Sequence, residues 1–152
     1  MSITWKNIVM KRECDGCTLC CVIPEVPELD KPINTTCKFC DRGCTIYDAR
    51  PKSCRDFDCA WLKGDLPNWM KPNKSHVMIE SFPDTSVVVA LPEIGHEQSW
   101  RTKKVVEALK NQYQDKGISV IASDRLALLA KGHTVESVRE NIMKVAKNFK
   151  VI

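Results

Sequence analysis

The chain has 152 residues and a formal net charge of +4, with 43% hydrophobic and 28% charged residues. This composition is that of an ordinary globular protein and excludes a disordered or fibrous chain, and the length suits one compact unit or two small ones that share a core. The longest apolar run, from Val87 to Leu91, is too short to cross a bilayer, and the first residues lack a secretory signal. We therefore expect a cytoplasmic protein that does not bind membranes.

Nine cysteines are the most informative feature of the sequence, and all of them lie in residues 14–59. In a reducing compartment, dense cysteines indicate metal binding or catalysis rather than disulfides. The odd number would also leave one thiol over in a fully paired disulfide framework. The predicted metal ligands are therefore Cys14, Cys17, Cys20, Cys21, Cys37, Cys40, Cys44, Cys54 and Cys59.

The spacing of the cysteines indicates more than one metal. In the pair Cys14-x-x-Cys17, Gly16 eases the tight turn that lets two sulfurs converge on one ion. Cys20 and Cys21 are neighbours whose side chains diverge, so we expect them to bind different metals or to bridge two. Two four-thiolate sites would use eight of the nine cysteines, and a three-metal cluster with bridging sulfurs would use all nine. The sequence leaves both arrangements open.

The thiolate ligands alone do not determine which metal is bound. Soft thiolates suit zinc, Cu(I) and iron–sulfur clusters. We expect two or three zinc ions per chain, with iron or an iron–sulfur cluster as the alternative cofactor. Cys14, Cys17 and Cys20 match the start of a ferredoxin run, but the fourth cysteine and its proline are missing at that spacing.

The cysteine pattern also resembles a known family. The run Cys14-x2-Cys17-x2-Cys20-Cys21, followed by the segment from Gly43 to Leu62, looks like the CxxCxxCC zinc- or iron-chelating family, also called YkgJ-like cysteine-cluster proteins. The resemblance covers about a third of the chain. It implies as ligands Cys14, Cys17, Cys20, Cys21, Cys44, Cys54 and Cys59. Either Cys37 or Cys40 fits the family's further cysteine, which leaves the role of the other open, and the family is described by chelation rather than by a reaction.

The composition changes near residue 70, which predicts a cysteine-rich metal-binding domain over residues 1–71 and a small α+β domain over residues 72–152. The first domain is loop-rich and has few apolar side chains, so we expect metal to staple it. In the second, strand-like segments form two hairpins, and each hairpin is followed by a helix. The predicted strands are His76–Glu80, Ser86–Leu91, Ile118–Ala122 and Leu126–Ala130.

The two predicted helices complete a ββαββα order. The first runs from about Gln98 to Lys116 and is ended by Gly117, and the second is capped by Thr134. The apolar stripe of the second helix consists of Val135, Val138, Ile142, Val145 and Phe149. This order predicts an α+β fold with both helices on one face of a small antiparallel sheet.

The leading functional hypothesis is a non-enzymatic metal-binding protein, because closed four-thiolate sites leave no open position for a substrate. One alternative is an iron–sulfur redox protein or an accessory module of a modifying enzyme. Another is a zinc module that binds a protein partner or nucleic acid. Nucleic acid is the less favoured partner, because two divalent ions on eight thiolates would subtract about four charges from the formal +4. His76, His96 and His133 lie outside the cysteine segment and are expected to be surface or cap residues.

Overall fold

The computed structural model describes residue 12, residue 14 and residues 17–82, 85–122 and 125–145. The predicted roles of Gly16 and Phe149 therefore lie outside the described residues, as does the side chain of Val145. Within these ranges the protein combines a sheet with helices, so the predicted α+β class is confirmed. None of the described helices has the length and apolar character that a bilayer crossing requires.

The sheet of the described residues contains four strands, which lie side by side in sequence order: β1 (Val77–Ser81), β2 (Val87–Pro92), β3 (Ser119–Ala122) and β4 (Arg125–Leu128). The pairs β1–β2 and β3–β4 are antiparallel, as predicted for two hairpins. The pair β2–β3 is parallel, so the prediction of a purely antiparallel sheet was wrong. The long connection between these two strands includes a helix, which returns the chain to the end of the sheet where β2 begins.

The described α-helices are α1 (Lys52–Arg55), α2 (Pro72–Ser75), α3 (Lys103–Gln112) and α4 (Val135–Val145). The helix predicted over residues 98–116 is divided, because Thr102 has an extended backbone and its side chain accepts a hydrogen bond from the Val105 amide. A short 3₁₀ turn lies on either side of α3, and Gly117 ends the second turn with a φ of 84°. The predicted cap of α4 is confirmed, since the Ser137 amide donates to Thr134 Oγ1 at 3.0 Å.

The two longer helices pack on opposite faces of the sheet. Val138 and Ile142 of α4 pack with one set of strand side chains, namely Val87, Val89 and Ile121. Val105 and Leu109 of α3 pack with the alternate set, namely Val77, Ile79, Val88, Ala90, Val120 and Ala122. The prediction of both helices on one face was therefore wrong. The apolar run in β2 is buried on both sides, as is typical of strands covered on two faces.

The cysteine-rich segment consists mainly of loops and short turns, and it packs on the same face of the sheet as α3. Its anchors in the hydrophobic cluster of that face include Leu19, Ile23 and Trp61, each at most 7% exposed. The Ala60 amide also donates a hydrogen bond of 2.8 Å to the carbonyl of Ile79 in β1. The cysteines are thus attached to a rigid support through a small number of apolar side chains.

Replacing Ile121 by alanine tests the face of the sheet that α4 covers. Ile121 is fully buried between β3 and α4, and its truncation is expected to lower the free energy of unfolding by about 2–5 kcal/mol through the cavity left behind. Urea denaturation of the untreated protein measures this change. The control is Met143→Ala on the 62% exposed side of α4, where we expect a change within about 0.5 kcal/mol. Equal effects of the two variants would contradict the packing of α4 on this face.

Candidate metal centre

All nine cysteines are free thiols, and none is in a disulfide. Cys59 is buried and the other eight are half-buried, so each sulfur is neither fully solvated nor sealed in the core. Three separate stretches of chain supply them, as four, three and two thiols. The interactions among the thiols divide them into two groups, and Cys20 interacts with the second group through Cys21.

The first group, here called the inner thiols, consists of Cys14, Cys17 and Cys59. A tight turn brings the first two together, with the Cys17 amide donating to the Cys14 carbonyl at 2.8 Å. Cys59 is 8% exposed and belongs to the hydrophobic cluster against which Cys17 packs. Burial, followed by repulsion from Cys59 and Cys17, raises the pKa of Cys14 to about 11. Burial also raises the pKa of Cys59, with a further contribution from Cys17.

The second group, here called the outer thiols, consists of Cys21, Cys37, Cys40, Cys44 and Cys54. The chain folds back so that Cys40 and Cys44 pair across an isolated antiparallel bridge. The Cys37 amide donates to the Cys21 carbonyl at 2.8 Å, which joins the first and second stretches of cysteines. Burial raises the pKa of Cys54, and the neighbouring sulfurs of Cys37, Cys44 and Cys21 raise it further. Residues far apart in the sequence therefore share one electrostatic environment.

Cys20 and Cys21 are adjacent in the chain and in space, and they lie between the first inner thiols and the remaining outer thiols in the sequence. They lie in the 3₁₀ turn Leu19–Cys21, whose first residue is buried in the core. The Cys21 thiol hydrogen-bonds with the thiols of both Cys20 and Cys40, and the bond to Cys20 is the main reason that its pKa is raised. Cys20 packs against the same hydrophobic cluster as Cys17. The two adjacent sulfurs thus interact with each other, whereas the sequence led us to expect that they diverge, and Cys21 also contacts the outer thiol Cys40.

The thiols are grouped but do not converge on single points. Among the described residues, the one set of three candidate ligands with all ligand atoms within 4.8 Å of one another is His76, Glu93 and His96, and no three thiols meet this limit. A tetrahedral zinc site with zinc–sulfur bonds of about 2.3 Å holds its sulfurs about 3.8 Å apart. Before three thiols of either group can bind one metal, at least one of their sulfur–sulfur separations therefore has to shorten by about 1 Å or more.

Lys31 is a buried cation beside the outer thiols. It is 5% exposed, and its ammonium group donates to the carbonyls of Val22 at 2.8 Å, Pro24 at 2.5 Å and Pro32 at 3.1 Å. Burial lowers its pKa, whereas the nearby sulfurs, Cys37 and Cys21 foremost, raise it. Sequence reasoning missed this residue, because a lysine in a polar loop is ordinarily solvated. Its position in a proline-containing segment between two stretches of cysteines was the one signal in the sequence that could have indicated a buried lysine.

Two further contacts fix the loops beside the thiols, one near the outer group and one near the inner group. The Glu28 carboxylate accepts hydrogen bonds from the Ser53 amide at 3.0 Å and from its hydroxyl at 2.6 Å, which fixes the loop to the start of α1. Arg50 has the extended backbone expected before a proline and donates from Nε to the Tyr47 carbonyl at 2.8 Å. Its positive charge offsets part of the rise in the pKa of Cys14, so the guanidinium lies near the inner thiols.

No family model, no curated protein and no solved structure matches this chain. The resemblance to the CxxCxxCC family therefore stays a prediction that depends on the cysteine motif. The assignment of the nine cysteines as ligands is likewise a prediction. The evidence on function is therefore the arrangement of the thiols in this chain.

Replacing Lys31 by methionine tests the importance of the buried cation. The variant retains a side chain of similar length but leaves three backbone carbonyls without their donor, so we expect the free energy of unfolding to fall by about 1–3 kcal/mol. Chemical denaturation of the untreated protein measures the change. Lys38→Met, at an exposed lysine in the same segment, is the matched control and is expected to stay within about 0.5 kcal/mol. A harmless Lys31→Met would contradict the role given to this residue.

The raised thiol pKa values predict a pH dependence for metal-free, reduced protein. A thiol whose folded pKa lies above its ordinary value of 9.0 favours the folded state below pH 9, and this contribution is lost as the pH rises through about 11, the pKa of Cys14. We expect Cys14 to account for up to about 2 kcal/mol of that loss. Denaturation between pH 8 and about 11 measures the slope. Cys14→Ser should flatten the profile, and an unchanged slope would contradict the assignment.

Proposed function

We propose that the cysteine-rich segment is a metal-thiolate domain that binds two or more ions, zinc in the first place, and that the chain is a non-enzymatic member of the CxxCxxCC family. The main support is that all nine cysteines are free thiols and that their interactions place them in groups drawn from distant parts of the chain, such as Cys54 with Cys37, Cys44 and Cys21. Isolated structural cysteines would be scattered through the core. Here the thiols lie together on one side of it.

The grouping suggests how the ligands are shared between metals. The inner thiols with Cys20 provide four sulfurs, the number that fills a tetrahedral zinc site. The outer thiols provide five, which is enough for a second site with one sulfur to spare or to bridge. The hydrogen bonds of Cys21 to both Cys20 and Cys40 favour Cys21 as the bridging ligand.

Charge compensation supports binding by thiolates. A zinc ion with four thiolates has a net charge of about −2, which is costly in a half-buried position unless positive groups lie nearby. The outer group has Lys31 beside it, and the inner group has Lys71 and Arg50, both of which lower the pKa of Cys14. Each proposed site therefore has its own source of positive charge.

The proposed role of the metals is to hold the cysteine-rich segment in its folded form and to store or carry ions. Its few apolar anchors support only part of its loops, and metal ligation supplies the remaining cross-links. Sites filled by four thiolates leave no position for a substrate, which is the reason for proposing a protein without enzymatic activity. The cytoplasm, which keeps thiols reduced, is the compartment that this chemistry suggests.

Elemental analysis of protein purified without oxygen tests the proposal. We expect about two or three zinc ions per chain and no visible colour. Iron together with acid-labile sulfide would instead favour the alternative of an iron–sulfur redox protein or accessory module, for which the spacing of Cys14, Cys17 and Cys20 is the supporting observation. Chelator-treated protein that keeps its native spectrum and takes up neither metal in stoichiometric amounts would refute both.

Two serine variants test how the ligands are shared. Cadmium NMR of the metal-substituted protein should give one signal or set of signals for each site. Cys59→Ser should perturb the site of the inner thiols, and Cys44→Ser the site of the outer thiols, so each variant serves as the control for the other. If either variant perturbed every signal equally, a single cluster with shared sulfurs would replace the two-site arrangement.

A further inference from the structure

A second cluster of metal-binding side chains lies outside the cysteine segment, at the end of the first hairpin. It consists of His76, Glu93 and His96, whose ligand atoms all lie within 4.8 Å of one another. His76 Nδ1 is 2.5 Å from Glu93 Oε2. The two imidazole rings are stacked, with their centroids 3.8 Å apart and their planes at 3°.

The pairing of the first two strands brings His76 and Glu93 together. Val77 is opposite Pro92 in the ladder, so the residue before β1 faces the residue after β2. The Glu93 amide donates to the His76 carbonyl at 2.9 Å, which continues the pairing by one step. His76 itself has a left-handed backbone with a φ of 62°, and it turns the chain from α2 into β1. Neighbouring strand ends thus hold two of the three side chains.

A tight loop returns His96 to the other two side chains. Gly95 has a φ of 88°, and its amide donates to the Glu97 carboxylate at 2.8 Å. The His96 amide donates to the Glu93 carbonyl at 2.8 Å, and this bond closes the turn. The backbone around all three residues is therefore fixed by hydrogen bonds rather than by the cluster itself.

We propose that His76, Glu93 and His96 form a second metal site, separate from the thiolates, that takes a divalent transition ion such as Zn²⁺. Two imidazoles and a carboxylate are nitrogen and oxygen ligands of the kind that zinc uses in open sites. Three protein ligands leave the fourth position of a tetrahedral ion to water or to an external donor. His96 is exposed and the other two residues are half-buried, so the ion can enter directly from solvent.

A histidine–glutamate ion pair that merely closes the hairpin is the competing explanation for part of this geometry. It accounts for the contact between His76 and Glu93. This ion pair does not require His96, whose ring stacks on that of His76 instead of extending into water. A dication bound by all three side chains would replace the direct contact between His76 and Glu93, and the two imidazole rings would turn out of their stack so that a nitrogen of each faces the ion.

The histidine resonances provide a test that does not depend on the thiolates. The chain has three histidines, and the third, His133, hydrogen-bonds through Nδ1 to Ser119 Oγ at 2.7 Å, away from the cluster. Purified protein with its thiolate metals in place is titrated with additional Zn²⁺, and the imidazole signals are followed by NMR. We expect saturable shifts of the signals of His76 and His96 and no shift for His133. Failure of the thiolate proposal would appear in the metal content, whereas failure of this one would appear in the imidazole signals.

Four variants make the test specific. His96→Ala and Glu93→Gln are each expected to weaken Zn²⁺ binding at this site at least about tenfold. Glu97→Gln is the matched control, because it removes a carboxylate from the same loop while an amide oxygen can still accept from Gly95. His76→Asn removes the remaining imidazole ligand without disturbing the turn, since asparagine tolerates the left-handed backbone. Unmoved imidazole signals, shifts at all three histidines or an equal effect of Glu97→Gln and Glu93→Gln would overturn the proposal.

Discussion

The burial of Leu19 is the constraint on which the arrangement of the thiols depends. Leu19 begins the 3₁₀ turn that contains Cys20 and Cys21, and its side chain is 3% exposed in the cluster beneath α3. This anchor fixes the position of the adjacent cysteines beside the outer thiols. The cysteine-rich segment has little regular structure, so a few buried side chains must set the position of many sulfurs. The sheet acts as a rigid support, and the thiols lie at the margin of its hydrophobic core.

Placing many thiols at that margin has an electrostatic cost. Partial burial and mutual repulsion raise the pKa values of several of them, which keeps them neutral in the absence of metal. In the proposed metal-bound form this cost is removed, because each ion displaces protons from the thiols and its positive charge compensates that of the thiolates. Lys31 fits this view: its ammonium group is held by three carbonyls, so it stays in place whether or not the neighbouring sulfurs are ionised. Arg50 has a comparable position near Cys14.

Local signals in the sequence predicted the elements better than their arrangement. The two hairpins and the cap at Thr134 were predicted correctly, because each depends on a few neighbouring residues. Gly117 ends the helical segment where expected, but the element it ends is a 3₁₀ turn, since α3 itself already ends at Gln112. The parallel pairing of β2 with β3 and the opposite placement of the helices were not. An apolar run such as that of β2 does not indicate which helix covers which face of the sheet. The same limit explains the histidine cluster, since the register of two strands, rather than any motif, brings His76 to Glu93.

The two proposed kinds of site differ in a way that follows from their positions. The thiolates are soft ligands at the edge of the core, provided by three stretches of chain, so release of an ion would loosen the fold around it. The histidine cluster has harder ligands on a hairpin whose backbone is already closed by hydrogen bonds, such as that from the Glu93 amide to His76. An ion there could leave without loss of structure. The two regions are close in the sequence. Lys71 lies near Cys14, and only the short helix α2 stands between Lys71 and the histidine cluster. Taken together, the two proposals describe a protein that retains one set of ions for stability and exchanges another at its surface.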